Sequence, residues 1–137
     1  MDHIDITTLR HLFDFGMMVI LWLVQLIIYP SFLHVEKSSL VQWHQRYTKR
    51  VSYIIIPTMI GQMGLVIHAT FMQMNLRNLF ALMLIAFCWL LTFTVSVPLH
   101  RTIEQGEGDD TILHRLVRTN WPRTILWTLA FVVGLLA

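Results

Sequence analysis

An all-α, integral membrane four-helix bundle is the fold class this sequence predicts, and three observations predict it. Apolar residues make up 55% of the 137-residue chain and charged residues only 13%. The mean hydropathy, +0.60, belongs to that class rather than to a soluble domain of similar length. The apolar residues gather in four stretches, 12–32, 51–72, 79–98 and 121–137, each near the ~20 residues that cross a ~30 Å hydrocarbon layer as a helix. In lipid a helix satisfies its own backbone donors and acceptors, so helices are the natural spanning element. No Gly/Ser-rich joint divides the chain, and one domain over residues 1–137 is expected.

The first helix takes Thr7 or Thr8 as its cap and stops at Tyr29-Pro30-Ser31. Ser38 or Ser39 opens the second, which enters the hydrocarbon near Val51 and kinks at Pro57. The short connection 73–78 makes the third helix its antiparallel neighbour. That helix runs through Pro98 to Gly106-Glu107-Gly108, a stop and turn. Asp109, Asp110 or Thr111 caps the fourth, and acidic residues suit its positive end. Pro122 is a second kink site, and Trp43, Tyr47 and Trp121 fit an interfacial aromatic belt.

Charge sets the orientation. The connection between stretches one and two carries Lys37, Arg46, Lys49 and Arg50. That between three and four carries Arg101, Arg115 and Arg118, with Arg123 just inside the last stretch; only Arg10 and Arg77 lie on the other side. This asymmetry places both long connections in the cytoplasm and both termini on the non-cytoplasmic side of the cell (inner) membrane. A pI near 9.0 therefore reads as topology, and no nucleic-acid partner is expected. The start Met1-Asp2-His3-Ile4-Asp5 lacks the basic region of a signal peptide, so the first stretch is expected to remain as a span. The single cysteine, Cys88, excludes an internal disulfide or a CxxC site and fits a buried, inert thiol.

The polar residues inside the stretches recur at helical spacing. His44 and Gln62 lie 18 residues apart, about five turns at ~3.6 residues each, with Tyr47 and Thr58 close to the same face. Trp89, Phe93, Ser96 and His100 form a stripe on helix three, and Asn120, Arg123, Thr124 and Trp127 one on helix four; Asp14 and Gln25 share a face of helix one. Polar groups at membrane depth turn toward protein or a watery cavity. Together they predict a pocket near the cytoplasmic face with His44, His100, Tyr47, Asn120 and Arg123 as its chemistry. His44 or His100 would act as base, Tyr47 and Asn120 would orient a carbonyl or hydroxyl, and Arg123 would stabilise negative charge. Interhelical hydrogen bonding without a ligand is the plainer reading of the same residues.

Three other residues could meet at the opposite end. His11 and Asp14 begin the first stretch and His68 ends the second, giving a candidate transition-metal set of His11, Asp14 and His68, or a haem site using His11 and His68. No HExxH, EF-hand or paired Cys/His array singles out a metal. His114 reads as a surface residue, His34 lies in a loop and indicates nothing, and most of the methionines read as packing.

Two blocks carry a family likeness. One runs from Tyr29-Pro30-Ser31-Phe32 through Trp43-His44-Gln45-Arg46-Tyr47 to Ile56-Pro57-Thr58-Met59. The other runs from Val97-Pro98-Leu99-His100 to Arg118-Thr119-Asn120-Trp121-Pro122-Arg123-Thr124. They resemble small bacterial four-helix membrane proteins and, distantly, the anthrone-oxygenase-like family, whose recurrent proline and Asn…Arg pair are matched by Pro98, Asn120 and Arg123. That resemblance implies metal-free oxygenation of a polycyclic anthrone, with His, Trp and Asn participating. A looser likeness is to the haem-containing membrane protoporphyrinogen oxidase, echoed by His11, Pro57-Thr58-Met59 and Arg118…Asn120…Pro122, and it implies haem; the lysine-led third helix of that family is missing here.

The expectation is thus a multi-pass protein in contact with membrane lipid that binds, and as an oxidoreductase-like enzyme would oxidise, a hydrophobic small molecule. A haem or metal protein and a ligand-free structural subunit stand as the alternatives.

Overall fold

The computed structural model describes residues 4–136. The sequence reading of residues 1–3 and the expected end of the last stretch at residue 137 lie outside them. Four helices follow one another: α1 (Ile6–His34), α2 (Lys37–Met72), α3 (Leu76–Glu107) and α4 (Asp110–Leu135). The first three are long and apolar enough to cross a membrane. The 26-residue α4 carries Asp110, Arg115 and Arg118 in its first half and Arg123 just past its middle.

Local chemistry sets the helix ends. Asp5, not Thr7 or Thr8, caps α1: its carboxylate accepts the Thr8 backbone N–H at 2.7 Å, a bond that holds the carboxyl below its usual range. Ser38 and Ser39 lie within the first turn of α2, and the capping position belongs to Glu36, with no side-chain bond. Asn75 caps α3 by accepting the Asn78 N–H (2.8 Å), and Asp109 caps α4 by accepting that of Ile112 (2.9 Å). Gly106, at φ 85°, ends α3 in the left-handed region that only glycine adopts cheaply.

Proline does not stop α1. Pro30 lies just past a π turn over Val24–Ile28, and Pro98 of α3 just past another over Thr92–Ser96. A π turn lets one extra residue into the ladder at the place where proline's missing N–H would interrupt it. It also rotates everything beyond it relative to a regular wheel. That rotation separates the predicted α3 stripe: Ser96 is buried, whereas Phe93 is 57% exposed.

α1 and α3 each pack against both α4 and α2. One apolar cluster joins Met17, Leu21, Met59, Cys88 and Trp127, a second joins Val66, Ala81, Ile85 and Ala130, and a third surrounds Tyr29, Phe32, Leu40, Ile103, Leu113 and Leu116. Cys88 is fully buried. The outer surface carries Leu26, Ile27, Tyr53, Ile60, Phe71 and Ile125, all more than half exposed. An apolar outer surface over buried polar side chains is the distribution that suits a helix bundle to hydrocarbon surroundings.

The Phe13 ring of α1 lies against Gly61 of α2, where an added Cβ would run into it. Gly61→Ala should therefore destabilise the bundle by about 1–3 kcal/mol through overpacking. Thermal unfolding in detergent measures it, and an unchanged midpoint would contradict the close approach.

Candidate functional site

The buried polar side chains form three layers along the bundle. At the Gly106 end, His100 lies between Tyr29 and His44: Nε2 is 2.8 Å from the Tyr29 hydroxyl and Nδ1 is 2.7 Å from His44 Nε2. His44 Nδ1 stands 3.3 Å from Glu104 Oε1, a contact without the alignment of a hydrogen bond. Thr48 donates to the same carboxylate oxygen at 2.9 Å. Tyr47 closes the layer with its ring edge-on to Phe32 and His44.

The donors and acceptors of this chain fix its tautomers. An ionised Glu104 only accepts, so His44 Nδ1 carries a proton. In a neutral His44, Nε2 must then accept from His100 Nδ1–H, which leaves His100 Nε2 to accept from the Tyr29 hydroxyl. One proton added at Tyr29 reverses each of these bonds and emerges on His44 beside Glu104. Such a row can carry a proton from Tyr29 to His44.

The middle layer is built on Asn120. Its Nδ2 donates to Gln25 Oε1 (2.9 Å), and its Oδ1 accepts from Arg123 Nη1 (2.8 Å), which also donates to Ser96 Oγ (3.0 Å). Gln25 in turn donates to the Val117 carbonyl (3.1 Å). The Arg123 guanidinium is 5.5 Å from the centre of the Trp127 ring, within cation–π range. In the third layer Trp127 Nε1 donates to Gln62 Oε1 (2.7 Å), Gln62 Nε2 donates to Asp14 Oδ1 (2.7 Å), and Arg10 lies 3.6 Å from Asp14 while donating to Asn78 (2.9 Å).

A cleft of about 480 Å³ opens sideways between α2 and α3 at the level of the first two layers. These helices touch through Leu76–Leu91 at one end and Ile103–Glu107 at the other, and part between. Tyr29, Tyr47, Ser96, His100, Glu104 and Arg123 form its polar wall, and Val51, Ile55, Ile56, Met59, Phe93 and Val97 its apolar one.

The expected residues divide into groups. His100, Tyr47 and Arg123 line the cleft. His44, fully buried, does not, so it reaches a ligand only through His100. Asn120 likewise stays behind the wall and holds Arg123 in place, whereas the Tyr29 hydroxyl group lines the cleft beside His100. Tyr29 and Glu104 were not expected. The signal was their spacing, four residues after Gln25 and four after His100, hidden at Tyr29 by its reading as a helix stop.

His11, Asp14 and His68 do not come together as a three-donor set: among the described residues no three His, Cys, Asp or Glu side chains are grouped to hold a metal ion. The Asp14 carboxylate is taken by Gln62 and Arg10. His11 and His68 line a separate cavity of about 350 Å³ with Arg10 and Arg77. His11 Nε2 donates to the Gly134 carbonyl at 3.1 Å, leaving Nδ1 as its ligating nitrogen. Two cationic neighbours make this a poor setting for a divalent cation.

No family model, curated protein or solved structure matches this chain.

Proposed function

We propose that this chain is a four-span membrane protein, with both termini on the non-cytoplasmic face, that admits a hydrophobic small molecule sideways from the bilayer and exchanges a proton with its polar head. The observation that carries the reading is the meeting of the Tyr29–His100–His44–Glu104 relay with a cleft that is apolar on its outer wall. A molecule dissolved in lipid would pass Ile56, Phe93 and Val97 with its tail trailing outward. Its head would reach His100, Tyr29 and Arg123.

Proton exchange is the step that both retention of an ionisable head and oxidation of a hydroxyl require. In this reading His100 is the base, and His44 passes the charge on to Glu104, which is partly open to the surface. The excess of Lys and Arg in the connections flanking the relay end supports a cytoplasmic position for that end. The likeness to anthrone-oxygenase-like proteins, carried by Pro98, Asn120 and Arg123, points to the same class of ligand, a polar head on a large apolar body.

Photolabelling tests the entry route. A hexadecanol with a diazirine in its tail, added to membranes holding the protein, should form adducts concentrated on Ile56, Phe93 and Val97. Ile55→Trp, which fills the cleft, should remove most of them. Adducts spread evenly around the bundle, or unaffected by Ile55→Trp, would refute the proposal.

A further inference from the structure

We infer that the ligand of this cleft is a long-chain acid bound as its carboxylate, with Arg123 as the group that selects it; this rests on the cleft being an amphiphile site. Arg123 is 4% exposed, and its hydrogen-bond partners, Asn120 and Ser96, are both neutral. The ion pairs among the described residues are Arg10–Asp14 and Lys37–Asp110, a neutral His44 stands beside Glu104, and none of these contacts includes Arg123. Its Nε is buried without a hydrogen-bond partner.

A guanidinium stays protonated inside proteins, so burial cannot neutralise it as it can a lysine. A buried charge is tolerated when it is paired. Asn120, Ser96 and the Trp127 face supply dipoles, not a counter-charge. Glu104 is engaged by Thr48 and faces His44. The missing anion is therefore a property of the ligand.

The walls narrow its chemistry further. Arg101 and Arg123 against Glu104 leave the cleft one positive charge in excess, which matches a monoanion. Nη1 is committed to Asn120 and Ser96 and Nε is closed off inside the protein, so Nη2 is the guanidinium group left for a ligand. A carboxylate accepts a charge-assisted hydrogen bond from such a donor, whereas a phosphate monoester dianion would meet Glu104 in the same space. An acid arriving from the bilayer in its neutral form breaks its O–H bond in the cleft. The proton enters the Tyr29–His100–His44 row, and the electron pair stays on the carboxylate that pairs with Arg123.

The test sets palmitate against hexadecanol, equal in chain length and different in head, as competitors of the photoreactive hexadecanol at Val97. The full chain is held in nanodiscs of neutral phosphatidylcholine. Palmitate should displace the probe at a concentration about 10- to 100-fold lower than hexadecanol, the scale of a charge-assisted bond. Arg123→Gln should bring the two competitors level, and Arg123→Lys should keep part of the difference. Should Arg123→Gln not fold, the ratio in the unaltered protein and in Arg123→Lys decides. Equal displacement in the unaltered protein would overturn the acid selectivity and leave the cleft standing; no displacement by either would sink both readings. Loss of palmitate's advantage in phosphatidylglycerol nanodiscs would assign the site to a phospholipid head and overturn the single-chain acid.

Discussion

Asp14→Ala is expected to destabilise the bundle by about 3–5 kcal/mol, the usual consequence of removing one partner from a buried ion pair. Asp14 is 1% exposed, and its carboxylate accepts from Gln62 at 2.7 Å while facing Arg10 at 3.6 Å. Without it, Arg10 keeps its charge with only the Asn78 amide for company, and the Gln62 NH₂ loses its acceptor. The disturbance would spread, because the other end of the same Gln62 amide holds Trp127 Nε1 in the central apolar cluster. Asp14→Asn keeps an acceptor and should lose less. Replacing Arg10 and Asp14 together by Met and Leu should recover most of the loss, since the uncompensated charge goes with them. Thermal unfolding of the detergent-solubilised protein, followed by far-ultraviolet circular dichroism, measures all three. An Asp14→Ala midpoint equal to that of the unaltered protein would mean that this layer does not hold the helices together.

The second large effect is kinetic. His44→Phe should slow proton exchange of a ligand in the cleft by about 10²- to 10⁴-fold, the range that a positioned acid or base contributes. The affinity should change far less, because His44 lies behind His100 and does not line the cleft. A long-chain naphthol, whose emission differs between its neutral and ionised forms, reads both quantities after a rapid pH jump. His100→Phe should lower rate and affinity together, since His100 lines the cleft itself. Equal rates in the unaltered protein and in His44→Phe would show that protons reach the head by another route.

Much of this arrangement was legible from the spacing of polar residues. His44 and Gln62 were expected on one face of the second helix, and both are fully buried. Asn120, Arg123, Thr124 and Trp127 were expected on one stripe of the fourth, and all four are buried. The wheel worked there because the backbone of α2 and α4 stays regular even through Pro57 and Pro122. It failed in α3, where a π turn precedes Pro98 and advances the register by a residue; in α1 the expected pair, Asp14 and Gln25, is buried. That shift accounts for Phe93 leaving the interior. Tyr29 went unseen because a Tyr-Pro-Ser triplet reads as a helix end. Partnerships across helices were beyond a wheel altogether: nothing in the sequence said that Asp14 would meet Gln62 rather than His68, and this choice dissolved the expected metal set.

The account's central claim is that His44 and His100 share one proton in a row leading from the cleft to Glu104. Nitrogen-15 NMR of histidine-labelled protein in bilayers addresses it directly, through the coupling that two nitrogens show across a shared hydrogen bond. The 2.7 Å separation of His44 Nε2 and His100 Nδ1 predicts such a coupling between those two atoms, abolished by His44→Phe. Two imidazoles without mutual coupling, each bonded to water or lipid, would contradict the relay and the function built on it.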